Sequence, residues 1–133
     1  MNHIYASVTK IQSVENLTLI TLKTQEQSLQ MMALALDSAV IVGSKVILSV
    51  KAFNIALAKK AQTSLSISNQ LPCTVKKIEK GSLLGSITLT FQERTLESLM
   101  SLEALEKMQM SVGENLIALI PESELSIVEV EAC

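Results

Sequence analysis

Aromatic residues are nearly absent: Tyr5, Phe53 and Phe91 are the only three in 133 residues, and there is no tryptophan. That excludes a core of packed rings and leaves little of the aromatic platform on which single-stranded nucleic acids stack. Cysteine is almost as scarce, with Cys73 and Cys133 only, at no metal-ligand spacing; Cys73 reads as a core residue and Cys133 as a loose tail, not as a disulfide in a reducing compartment. The one histidine, His3, has no acidic or cysteine partner at a useful spacing and reads as a surface residue. Cationic charge is also short. Eleven Lys and Arg against 13 Asp and Glu give a net charge of -2 and a pI near 5.4, which argues against a polyanionic partner held by clustered cations. A compact anion needs less, one or two cations and a few aimed donors. No apolar run approaches the roughly 20 residues of a bilayer span, and Met1 opens a strand-like segment in place of a charged and then apolar leader. The expected setting is the cytoplasm, with no membrane and no nucleic acid as partner.

Apolar residues are abundant, at 48%, so the chain is globular and its core is built from Val, Ile, Leu, Ala and Met. The methionines Met31, Met32, Met100, Met108 and Met110 suit core filling or a subunit interface, because methionine adapts to irregular gaps. Catalysis finds no foothold: no nucleophile sits in a motif, and there is no zinc spacing and no Gly-rich phosphate loop. Glu103, Glu106 and Glu114 fall at solvated helix and turn positions. The chain is expected to be a non-enzyme with no metal-cation cofactor.

The strongest pattern is internal. Residues 1–66 and 68–127 are two copies of one unit: Asn2, Val8, Lys10 and Ile11 recur as Asn69, Val75, Lys77 and Ile78, and Ile20, Thr21, Leu22 and Leu29 as Ile87, Thr88, Leu89 and Leu96, always 67 positions on. After a three-residue insertion the shift is 70, so Val42-Gly43 returns as Val112-Gly113 and Val46-Ile47 as Leu116-Ile117. Units this small bury little core alone, so a tandem pair should pack face to face and assemble further. The repeats are placed at 1–60 and 66–131, with residues 58–66 as a polar connection.

Alternation predicts strands near Ala6–Val14, Leu17–Lys23, Ser28–Leu34, Lys45–Val50 and Ile55–Leu57, then Cys73–Glu79, Leu84–Phe91, Thr95–Met100, Asn115–Ile120 and Leu125–Val130. Gly43 and Gly113 mark matching turns. Residues 102–107 predict a short helix, and Leu36–Val40 its shorter equivalent. Five strands with a helical plug before the fourth predict an all-β chain of tandem OB-like five-stranded barrels.

Two segments carry a family resemblance. Ser66-Ile67-Ser68-Asn69-Gln70-Leu71, with Val75 and Ile78, resembles the opening Ser-Ala-Arg-Asn-Gln-Leu…Val…Ile signature of the molybdate-binding Mop or TOBE domains, and Lys51-Ala52-Phe53-Asn54-Ile55 resembles their closing Lys-Ala-Ser/Thr-x-Val signature. The whole chain is similar to a tandem molbindin. The resemblance implies a cytoplasmic protein, a homotrimer of tandem chains, that holds molybdate or tungstate at subunit interfaces for storage or homeostasis. It also implies the site: Lys51 and Ala52 from the closing motif, Ser66, Ser68 and Asn69 from the opening one, with Asn2 its counterpart, Ser101 ahead of the helix, and Ser123. The chemistry is suitable, since a tetrahedral dianion calls for N–H and O–H donors and positive charge.

Each copy departs from the pattern in a different half. The second has Ser68 at the arginine position and Pro121-Glu122-Ser123 at Lys-Ala-Ser/Thr; the first keeps Lys51 but begins at Met1, which aligns with Ser68. The α-amino group of Met1, with an ordinary pKa of roughly 8, is placed to stand in for that arginine. Plainer readings stand beside these: linker residues at Ser66 and Ser68, a solvated strand end at Lys51, an Asx turn at Asn2 and Asn69, and a turn cap at Ser123. One other function remains open, a regulatory or assembly module that senses molybdate for a transcription regulator or a transporter; the three aromatics and the negative net charge argue against an OB-type nucleic-acid binder.

Overall fold

The computed structural model describes residues 2–131. Among these residues ten strands form two curled five-stranded sheets, with one α-helix. The first repeat supplies β1 (Asn2–Val14), β2 (Leu17–Thr24), β3 (Gln27–Ala33), β4 (Lys45–Val50) and β5 (Ala56–Ala58); the second supplies β6 (Asn69–Lys80), β7 (Leu84–Phe91), β8 (Arg94–Ser101), helix α1 (Leu102–Met108), β9 (Asn115–Ile120) and β10 (Ser126–Val130). The tandem OB-like architecture is as expected from the repeat. Alternation explains the strands: Asn2, Ile4, Ala6 and Val8 of β1 are buried while His3 and Tyr5 face outward, the period of a half-buried strand.

Both repeats break the β1–β2 and β6–β7 pairing at the same place, between Val8 and Lys10 and between Val75 and Lys77. The matching glycine turns dock there. Gly43 N–H donates to the Val8 carbonyl at 2.8 Å and Gly113 N–H to the Val75 carbonyl at 2.7 Å, with φ of +95° and +91°, a conformation that suits glycine.

The repeats exchange their last strands. Sheet order is β10-β4-β1-β2-β3 in one sheet and β5-β9-β6-β7-β8 in the other, so β10 of the second repeat covers the β4 edge of the first, and β5 of the first pairs with β9 of the second. One hydrophobic cluster spans both sheets, including Ile20, Leu22 and Leu48 from one and Leu71, Ile87 and Leu89 from the other.

Helix α1 is capped at its start, where Ser101 Oγ accepts the Ala104 N–H at 3.1 Å, and it ends at Gln109 in a left-handed conformation. Its buried Leu105 packs on Gly85 so closely that a side chain at Gly85 would come within 2.9 Å of the Leu105 Cβ. The helix expected at Leu36–Val40 does not form; turns and bends replace it. Asp37 is the reason on the local scale: its Oδ1 accepts the Ala39 N–H at 2.9 Å and its carbonyl the Val40 N–H at 3.0 Å, an arrangement that competes with helical bonding. Packing opposes a helix too, because buried Thr18 occupies the position equivalent to Gly85.

Because each sheet borrows a strand, neither half should fold alone. Fragments 1–66 and 67–133 are each expected to lack a cooperative urea transition followed by circular dichroism, whereas the intact chain shows one; a sharp transition in either fragment would mean that the exchange is dispensable.

Candidate functional site

Strand pairing brings the opening and closing segments of each copy together. Asn2 pairs with Val50 and Asn69 with Ile120, so Lys51-Ala52 emerges beside Asn2, and Pro121-Glu122 beside Asn69. Segments some 50 residues apart in sequence, as 51 is from 2, thus meet within one sheet.

The two asparagines are buried and their amides are engaged across the repeats. Asn2 Nδ2 donates to the Glu97 carbonyl and Asn2 Oδ1 accepts the Glu97 N–H, both at 2.8 Å; Asn69 makes the same pair of bonds with Gln30, again at 2.8 Å. Glu97 and Gln30 are equivalent positions of the duplication. Each asparagine therefore pins the first strand of one repeat to the third strand of the other. Its structural role is an inter-repeat clasp, where a local Asx turn was the plainer expectation.

Around the first copy lies a groove of about 580 Å³. Asn2, Lys51, Ala52 and Phe53 line one side, the last two in a 3-10 turn over Ala52–Asn54; Thr88, Thr95 and Glu97 of β7 and β8 line the other. Lys51 is exposed and forms no ion pair among the described residues. The Glu97 carboxylate accepts the Ser86 hydroxyl at 2.9 Å. The groove thus offers one ammonium group, with three rotatable donors, and two threonine hydroxyls. Sequence reading missed Thr88 and Thr95. Alternation gives β7 outward hydroxyls but does not reveal that they line one groove with the other repeat's lysine.

The second copy differs in charge. Ser68 Oγ donates to Glu122 Oε2 at 3.3 Å, so a carboxylate stands beside Asn69 where the first copy has the Lys51-Ala52 segment. An approaching anion meets like charge there. The two 3-10 turns touch through Asn54 Nδ2, which donates to Glu124 Oε2 at 2.9 Å.

The other expected residues are dispersed. Ser66 is exposed in the connection between repeats. Ser101 caps α1 with its oxygen, leaving its O–H free to donate, and Ser123 is exposed in a 3-10 turn over Glu122–Glu124. Met1 and Cys133 lie outside the described residues. Lys59 bonds Glu114 at 2.7 Å, and that hydrogen bond is the main cause holding the Glu114 carboxyl below its ordinary pKa. Among the described residues no group of three or more His, Cys, Asp and Glu is placed to hold a metal ion.

Two strand-exchanged OB-like barrels with a lysine groove at their junction define the class: a tandem small-barrel protein. Residues 65–127 match the family model described as TOBE domain. The molybdenum import ATP-binding proteins ModC of Brucella abortus and Brucella suis are each 33% identical over 74 residues, which is 55% of this chain and 21% of theirs. The chain thus spans about a fifth of the length of these curated relatives. Among solved structures, the cytoplasmic molybdate-binding protein ModG, with molybdate bound, has the same fold, with a TM-score of 0.86 at 24% identity over 95% of this chain and 94% of that one. The second repeat thus matches a TOBE domain, the first repeat is its duplicate in sequence, and the chain as a whole shares the fold of ModG.

Two outcomes follow from the buried groups. Asn69→Ala leaves the Gln30 N–H and carbonyl without their partner and should cost about 3 kcal/mol in urea unfolding; a cost within error of zero would show that the clasp contributes nothing. Burial pushes the Cys73 thiol from 9.0 up to about 12. Its folded pKa lies above the unfolded one, so its contribution is intact below about pH 9 and is lost as pH rises toward 12. The peptide containing Cys73 should resist alkylation at pH 8 in the native protein and react once urea unfolds it.

Proposed function

We propose that the chain binds a small tetrahedral oxyanion, molybdate or tungstate, in the Lys51 groove, and holds it for storage or homeostasis in the cytoplasm without catalysis. The observation that carries this reading is Lys51 itself: an ammonium group with no carboxylate partner among the described residues, in a groove that Thr88 and Thr95 also line. Such donors suit a dianion and are the wrong set for a metal cation. ModG is described as a cytoplasmic molybdate-binding protein, and the fold is shared over nearly the whole chain.

The binding unit is a homotrimer of tandem chains. Ser101 is outside the lining of the Lys51 groove, so its free hydroxyl reaches an anion there only from a neighbouring chain, and closed symmetry presents the same donors at each interface. The α-amino group of Met1 and Ser66 complete the donor set in this reading. Because Glu122 repels anions from the second copy, each chain holds one site of the Lys51 kind.

A second reading is favoured by the relatives themselves. They are ATP-binding import proteins of which this chain matches about a fifth, so a separate tandem domain could sense molybdate on behalf of a transporter or a transcription regulator. Molybdate-dependent association with such a partner would select it.

Calorimetric titration with molybdate is expected to give one site per chain, and Lys51→Ala should lower the affinity at least tenfold, about 1.4 kcal/mol, while leaving the urea midpoint in place. Unchanged affinity would remove Lys51 from the site. The same titration with sulfate reports whether the pocket selects by anion size.

A further inference from the structure

The only histidine, tyrosine and arginine of the chain, His3, Tyr5 and Arg94, line one pocket of about 260 Å³ with Lys23 and Lys45, away from the Lys51 groove. Strand register explains the convergence. Ser7 of β1 pairs with Lys23 on one side and Lys45 on the other, so the three share a face, with the lysine Cα atoms about 10 Å apart across three strands. Arg94 arrives from the other repeat at the tip of the β7–β8 hairpin, its guanidinium 3.8 Å from the Tyr5 ring centroid. Stacking holds the plane and leaves N–H edges for an acceptor.

The hairpin that carries Arg94 is fixed in place. Gln92 adopts a positive φ of 49°, unusual for a residue with a side chain, and is tied by two 2.9 Å bonds to Thr24, one accepted from the Thr24 hydroxyl and one donated to the Thr24 carbonyl. The floor is apolar, with buried Ile4 and Phe91. Among the described residues Lys23, Lys45 and Arg94 form no ion pair, and Glu131 is the one carboxylate in the lining.

The duplication supplies an internal control. At the equivalent positions the second copy has Gln70, Pro72, Thr90, Asn115 and Gln27 in place of His3, Tyr5, Lys23, Lys45 and Arg94. These neutral groups satisfy one another or the backbone: the Thr74 hydroxyl donates to Asn115 Oδ1 at 3.0 Å, and Gln27 Nε2 to the Gln70 carbonyl at 3.4 Å. In a chain of net charge -2, one of two equivalent faces has gathered three cations that form no ion pair among the described residues around an aromatic ring, whereas Lys59, beside Pro72 and Asn115 on the other, is paired with Glu114. We propose that the pocket around Tyr5, Lys23, Lys45 and Arg94 is a second, independent anion site that takes a phosphate group, free or carried on a small organic molecule. Its concavity and apolar floor suit a small ligand.

Titrating the intact protein with phenyl phosphate and, separately, with inorganic phosphate tests this. Phenyl phosphate is expected to bind once per chain. Lys23→Thr, Lys45→Asn and Arg94→Gln, the residues the same fold carries in its other copy, should each lower the affinity tenfold or more, with Lys51→Ala without effect. Arg94→Lys keeps the charge, gives up the planar fork and should lose part of the affinity, which guards against a variant that misfolds. Equal affinity for inorganic phosphate identifies the free anion as the ligand; much weaker binding identifies an ester. The site is refuted if neither probe binds at millimolar concentration, if binding survives the three neutral substitutions together, or if Lys51→Ala abolishes it.

Discussion

A buried carboxamide has to satisfy its donor and its acceptor together, and Asn2 and Asn69 do so only by reaching across to the other repeat. The rest of the architecture depends on that demand and on the exchange of β5 and β10. Neither sheet is complete within its own half of the sequence. The third strand of each repeat is consequently held against the first strand of the other, and the candidate anion groove forms at that contact, with Lys51 from one copy and Thr88 and Thr95 from the other.

Duplication supplied two equivalent frames, and their later differences carry the chemistry. Lys51-Ala52 in one copy answers to Pro121-Glu122 in the other, so a lysine beside Asn2 is replaced by a carboxylate beside Asn69. Gly85 answers to Thr18, so one barrel accepts the Leu105 plug of α1 and the other is closed by an Asp37 turn. The cation-rich face around Tyr5 and its neutral counterpart follow the same rule. A pseudo-symmetric backbone with asymmetric side chains allows one copy to keep the fold while the other carries a function.

Several elements were legible to the residue. Lys45–Val50, Leu84–Phe91 and Asn115–Ile120 are strands with the bounds that alternation gives them, because a half-buried strand must alternate. β1 and β6 open at Asn2 and Asn69, ahead of the Ala6 and Cys73 that alternation gives: an asparagine at a strand start resembles a turn residue until its partner on another strand is known. No helix forms at Leu36–Val40, since helix propensity over five residues is weaker than one Asp side chain bonding to its own backbone. Of the candidate site, the sequence identified Lys51, Ala52 and Asn2 as neighbours through the motif, while Thr88 and Thr95 were invisible because facing partners depend on how two sheets lie against each other.

Local and periodic information, then, was enough by itself for the duplication, the strand pattern, the glycine turns and the cationic half of the motif, since each is set by residues a few positions apart or by a constant shift along the chain. Which strand closes which sheet, where the two asparagine amides point, and which side chains of one copy face those of the other were decided only in the tertiary structure. Those choices join residues dozens of positions apart, through hydrogen bonds whose partners no local pattern specifies.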